Sequence, residues 1–255
     1  VVVVALTGLG FVGHRFQSER ASAASVDRAV ADYRQTGAGT VTAIQDAPAP
    51  GVYTFRGEGY FKIDAPIIGN KRLNLPPTIP AIVTVTPRCW EISVRPYKQR
   101  EWTERYCRNG KAGFRLEWRR NKSDMYGIQS SSRSECRPSS LFDAQGTLRS
   151  TWTSVCKVVA HKTNLPINIP RPPLPVQITH LGHPTLTLGG QRVVSHHLRQ
   201  TGSMKGVFRG SMTREVWYAR DTGMLLKMRI LGQGSGLATI KVDQTYTLAS
   251  LQPRR

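Results

Sequence analysis

The sequence predicts a mainly β protein: one large curved antiparallel sheet, closed or half-open as a barrel, with a short N-terminal helix and a membrane anchor. Three observations lead there. Alternating apolar and polar runs recur from Gly51 to the C-terminus, four cysteines are widely spaced, and an apolar N-terminal run precedes a single helical repeat. At 255 residues, 39% of them hydrophobic, the chain can bury one substantial core. The organisation expected is residues 1–15 as the end of a transmembrane signal anchor, 16–50 as a short helix and linker, and 51–255 as an extracytoplasmic β domain.

The first thirteen residues are apolar or small and end at His14 and Arg15, fewer than the ~20 that cross a bilayer. They read as the distal part of a signal anchor, with Ala21-Ser22-Ala23 as a weak cleavage signal and a buried core strand as the alternative. Val26, Val30 and Tyr33 share one helical face behind Ser25 as cap, and Pro48 and Pro50 mark a linker. Strand-like runs then start at Gly51 and occupy 79–86, 90–95, 101–107, 111–121, 125–134, 151–159, 176–181, 185–188, 192–200, 205–218, 225–231 and 237–248. Asn109-Gly110 is a two-residue hairpin signal, because both positions of a type I′ turn need positive φ. The proline-rich 165–175 reads as an extended crossing or linker, and Gly232–Gly236 as a hairpin loop.

Cys89, Cys107, Cys136 and Cys156 contain no CxxC pair, so a zinc site is disfavoured and two disulfides are expected. Of three connectivities, Cys89–Cys107 with Cys136–Cys156 is favoured. If Arg95 faces Glu101 across the loop Pro96–Arg100, antiparallel register sets Cys89 opposite Cys107. Disulfides persist outside the cytosol, which implies export.

Thirty-six Lys and Arg against sixteen Asp and Glu give a net charge of +20. No acid occurs between Asp143 and Glu215, a stretch that includes Arg192, Arg199, Lys205 and Arg209. These four are the candidate anionic-ligand-binding residues, with a merely solubilising surface as the alternative. The partners expected are an anionic membrane lipid or envelope polymer and a membrane-complex protein; an exported chain seldom meets nucleic acid.

Catalytic signatures are missing: GxSxG, HExxH, a phosphate-binding loop and a supported pair of acids are all absent from the sequence. No enzyme activity and no cofactor are expected. Five of six histidines lie in the acid-free stretch, but His180 and His183 on a strand would face opposite ways, as would His196 and His197. No metal site is expected; convergence would need one from each pair. The tryptophans Trp90, Trp102, Trp118, Trp152 and Trp217 are expected in the core rather than as a ligand platform.

The segment Arg214-Glu215-Val216-Trp217-Tyr218-Ala219-Arg220-Asp221-Thr222-Gly223-Met224-Leu225-Leu226-Lys227 resembles a recurrent hairpin of the periplasmic lipoprotein-carrier superfamily. Gly51–Phe55 with Cys89-Trp90, Trp102 and Cys107 is similar to uncharacterised exported actinobacterial proteins. The resemblance implies a half barrel around an apolar cavity for acyl chains or a lipidated partner. The apparent anchor, the disulfide spacing and the basic charge depart from the carriers and favour stationary binding over shuttling. The expected function is non-enzymatic, extracytoplasmic and membrane-anchored binding of a lipid, lipidated or anionic envelope ligand. The alternative is a structural or regulatory subunit of a membrane or cell-wall complex without a ligand cavity.

Overall fold

The computed structural model describes residues 21–36, 46–66, 69–108, 114–125, 128–139, 141–142, 150–164, 173–204, 209–236 and 238–255. One helix, α1 (Val26–Gln35), precedes β1 (Gly51–Ala65), β2 (Gly69–Asn74), β3 (Ile79–Val85), β4 (Cys89–Tyr97) and β5 (Arg100–Arg108). Then come β6 (Phe114–Met125), β7 (Ile128–Arg137), β8 (Leu141–Phe142), β9 (Thr151–Thr163) and β10 (Leu174–His180). The chain ends with β11 (Thr185–Leu188), β12 (Gln191–Met204), β13 (Arg209–Ala219), β14 (Leu225–Ser235) and β15 (Thr239–Leu248). The expected mainly β fold with one short N-terminal helix is what the chain adopts. The anchor, Asn109-Gly110 and residues 165–172 lie outside the described residues.

The strands form one antiparallel sheet in the order β10-β9-β7-β6-β5-β4-β3-β1-β15-β14-β13-β12-β11. Its two ends also meet: β10 pairs with β12 from Val176↔Gly202 to His180↔Leu198. The sheet is therefore a closed ring of twelve strands, with β2, β8 and β11 attached to it. Closure removes the exposed edges that an open sheet would present.

The ring is not round. In the order above β5 and β13 stand diametrically opposite, with five strands between them by either route. Yet Glu104 of β5 and Arg214 of β13 touch at 2.8 Å, and the Tyr106 and Tyr218 hydroxyls of the same strands lie 3.0 Å apart. A circular barrel of twelve strands ~4.8 Å apart and tilted ~40° would be about 24 Å wide. Two side chains cannot span that, so here the walls approach the ~10 Å spacing of packed sheets. Below this level the interior is filled: Trp90 stacks on Tyr106 with centroids 4.3 Å apart, and Phe114 meets Trp90 edge-on. Phe55, Ile79, Ile92, Leu198, Leu226 and Met228 complete a packed apolar layer.

At the crossing point both oxygens of Glu104 are engaged. Oε1 accepts from Arg119 and Arg214, and Oε2 accepts from the Tyr106 hydroxyl. Gln200 Oε1 accepts from Arg119 Nη2 at 3.2 Å, tying β12 into the group. Burial pushes the Glu104 carboxyl up, but Arg214 and then Arg119 outweigh it and hold its pKa at about 2. Burial also raises both tyrosines, so they remain neutral donors.

Helix α1 forms because Ser25 caps it, accepting from Arg28 N–H at 3.3 Å, and because Ala29, Val30 and Tyr33 bury one face. That face lies on Val52 and Ile82, outside the barrel wall. It explains why β1 and β3 are apolar on both faces where α1 covers them. Arg95 joins the helix to the sheet, bonding Asp32 at 2.7 Å and Glu101 at 2.8 Å. The Arg95–Glu101 pairing and the Cys89↔Cys107 register are as expected. The intervening loop is shorter: Tyr97 pairs with Arg100 around Lys98-Gln99, and a one-residue bulge absorbs Pro96, which has no N–H to donate. Gly232 and Gly234 also differ from expectation, lying inside β14 rather than in a loop.

Both disulfides connect facing strand residues, Cys89–Cys107 and Cys136–Cys156, with Cα–Cα separations of 4.0 and 3.9 Å. Bridges of this kind persist where the surroundings are oxidising, as outside the cytosol.

Two outcomes follow from this core. Glu104→Gln leaves the buried Arg214 and half-buried Arg119 guanidinium groups without their anion and should cost about 3–5 kcal/mol in urea unfolding. A carboxyl held below its unfolded value of ~4.3 stabilises above that value and loses the effect as pH falls towards about 2. Acid titration of the parent should thus show a loss on the order of 3 kcal/mol in that window, missing in Glu104→Gln; equal acid sensitivity would refute the assignment. For the second bridge, Cys136→Ser with Cys156→Ser opens a 20-residue closure and should lower stability by roughly 3 kcal/mol.

Candidate functional site

Beyond the Glu104 crossing the strands continue and the interior opens. Leu248, Tyr246 and Gln244 of β15 are buried, and the next residues in phase, Val242 and Ile240, are partly exposed. On β13 the inward series Tyr218, Val216, Arg214 continues to Met212, which is 43% exposed. Register aligns Phe61, Val242, Gly232, Met212, Gly202 and Val176 as one inward row across six strands. A Cβ on Gly202 would touch Leu174 Cδ2 and Val176 Cγ2 at 3.6 Å, which places that glycine on the same inner face. This wall is apolar, and its glycines leave it hollow.

The facing wall is polar and cationic. Arg100 and Trp102 are in phase with Glu104 on β5, and Asn121 and Ser123 are in phase with Arg119 on β6. The Arg100 guanidinium stands 5.3 Å from the Phe61 ring centroid, so the two walls meet there. The floor is the Glu104–Arg119–Arg214 group, which carries one net positive charge; Arg119 keeps 23% of its side chain exposed. At the rim, a 520 Å³ cavity is lined by Lys98, Arg100, Lys122 and Lys162, by Glu101 and Asp124, and by several Ser, Thr, Asn and Gln side chains. Glu101 is held by Arg95 and Asp124 accepts from Gln129, leaving the cations in excess.

Of the four basic residues singled out from the sequence, the three within the described residues stand apart from one another. Arg192 and Arg209 are exposed near opposite ends of the β12–β13 pair, about 40 Å apart along the strand. Arg199 gives both Nε and Nη2 to Glu215 Oε1 at 2.8 Å, so its charge is matched. Lys205 lies outside the described residues. The tryptophans divide: Trp90 is core, Trp102, Trp152 and Trp217 pack against it, and Trp118 stands on the outer surface under Arg120 and Arg133.

The histidines depart from expectation. His196 points inward and His197 outward, stacked on Trp217 at 4.1 Å. His180 and His183, however, are not on opposite faces of one strand. β10 ends at His180, and Gly182 with φ +105° turns the chain so that His183 folds back. His180, His183 and His196 offer nitrogen atoms that all lie within 4.8 Å of one another. Burial, and then the neighbouring His183, hold His180 below the ordinary imidazole range, so it is neutral at pH 7. This cluster sits at the packed end of the barrel, away from the open cup.

Sequence reasoning missed the Glu104–Arg214 crossing, although the signal was present: Glu104 is in phase with Trp102 and Tyr106, and Arg214 with Val216 and Tyr218. A charge in the apolar phase of a strand needs a buried partner. No family model and no curated protein matches the chain. Among solved structures the chain is similar to the hypothetical lipoprotein YmcC from Escherichia coli (K12), with 13% identity and a TM-score of 0.36 over 85% of this chain and 96% of that one.

Proposed function

We propose that the chain is a non-enzymatic extracytoplasmic binding protein, held at the outer face of a membrane, whose barrel mouth takes an anionic amphiphile. The acyl part of a lipid or lipidated ligand lies on the row from Phe61 to Val176, and its acidic head meets Arg100, Arg119 and the basic rim. The observation that carries this reading is the pairing of an apolar, glycine-hollowed wall with a cationic wall in one open cup. Each buried methylene of the acyl chain contributes ~0.8 kcal/mol, while the head supplies orientation and selectivity.

The test uses a fluorescent long-chain fatty acid as probe. It should bind one per chain and be displaced by lysophosphatidylglycerol more strongly than by neutral lysophosphatidylcholine. The difference should shrink with salt, because charges at the exposed mouth are screened over ~8 Å at physiological ionic strength. Gly232→Leu fills the hollow, since a Cβ there meets only ordinary contacts at 3.4 to 3.7 Å. It should weaken the probe at least tenfold with an unchanged melting temperature. Arg100→Gln should remove the preference for the anionic head. Probe binding that survives Gly232→Leu would place the ligand elsewhere and leave the interaction-subunit reading in front.

A further inference from the structure

We infer that His180, His183 and His196 form a binding site for a divalent first-row transition metal, with Zn²⁺ the best match. The three rings are mutually tilted by 61°, 52° and 68°, with centroids 4.7, 6.0 and 4.8 Å apart. Three imidazole nitrogens within 4.8 Å of one another, on rings so tilted, can supply one face of a tetrahedron. Zn–N bonds of 2.0–2.1 Å require nitrogens about 3.4 Å apart, so the ion draws the three inward by an ångström or so. A donor set of imidazoles alone selects Zn²⁺, Cu²⁺ or Ni²⁺ over Mg²⁺ or Ca²⁺, which want oxygen.

The scaffold around the rings is built rather than casual. The connection from His180 to β11 is pinned to β12 by four hydrogen bonds. Leu181 N–H donates to the His197 carbonyl, His197 N–H to that of Gly182, and both the N–H and the hydroxyl of Ser195 donate to that of Pro184. Their lengths run from 2.7 to 3.0 Å. His180 adds the outer-shell feature of metal-bound imidazoles: the ring hydrogen bonds the Gly182 backbone, while its Nε2 is buried with no hydrogen-bond partner. An unbonded nitrogen in such a place is costly unless something occupies it. His196 is fully buried and His183 exposed, so a bound ion has its fourth position turned to solvent on the His183 side.

The full chain, stripped with a chelator, is titrated with Zn²⁺ alone and then with Co²⁺, whose visible spectrum reports tetrahedral nitrogen ligation. One ion per chain, a raised melting temperature and a tetrahedral Co²⁺ spectrum are expected. His183→Gln and His180→Gln should each weaken Zn²⁺ at least tenfold and abolish the thermal shift. His161→Gln, about ten residues along β9 from the strand end nearest the cluster, serves as the control and should change neither. His183 is exposed, so its variant should melt with the metal-free parent in the absence of Zn²⁺. Zn²⁺ binding of equal strength in His183→Gln, or loss of binding in His161→Gln, would overturn the site, as would an octahedral Co²⁺ spectrum.

Discussion

The ion pair between Glu104 and Arg214 sets the shape of everything around it, because it joins strands that the ring places as far apart as possible. A carboxylate taken out of water must be met by cations and donors, and here these come from β5, β6 and β13, with Gln200 of β12 behind them. The demand can only be met if opposite walls close to within side-chain reach. Local electrostatics thus becomes a global constraint on cross-section. Below the pair the flattened walls interdigitate as an apolar core; above it they touch where Arg100 meets Phe61, and the space beside that contact stays open.

That asymmetry explains the distribution of side-chain sizes along single strands. On β13 the inward positions pass from Tyr218 and Val216 through Arg214 to the exposed Met212. On β14 they pass from Leu226 and Met228 through Ile230 to Gly232 and Gly234. Large residues fill the half where the walls are close, and glycines line the half where they diverge. In a strand, glycine costs stability and contributes no packing; where a Cβ would meet only ordinary contacts, as at Gly232 and Gly202, it marks space that other matter must fill. Solvent or a ligand can take that role, whereas a further layer of core would have used Val or Ile.

Much of this was legible in the sequence, and the limits are physical. Period-two alternation located nearly every ring strand, Ser25 and its apolar face located the helix, and the Arg95–Glu101 register located the first disulfide. These are local signals. Closure of β10 on β12 is a pairing across intervening strands, and no local pattern announces it. The histidine cluster escaped for a narrower reason. Strand geometry would set His180 and His183 on opposite faces, but positive φ at Gly182 follows the end of β10 and reverses the direction of the next side chain. Proline at 184 could have warned of that break, since a residue without an N–H seldom sits inside a ladder.

The surplus of positive charge also reads differently once the strands are placed. Sequence distance made the acid-free stretch look like a patch, yet antiparallel pairing brings distant acids to its arginines. Glu215 on β13 faces Arg199 on β12, and on the other side of the ring Arg105 of β5 bonds Glu91 of β4 and Glu117 of β6. Cross-strand neutralisation of this kind spreads the residual charge over the barrel instead of concentrating it. A diffuse field of that sort attracts anions and raises encounter rates without choosing among them. Selection requires desolvated, fixed donors beside a surface of matching shape. In the proposed function that role falls to the mouth of the cup, where half-buried Arg100 meets the Phe61 ring and half-buried Arg119 is fixed in the floor by Glu104. Under the binding function proposed above, the outer charge would serve approach and the inner charge recognition.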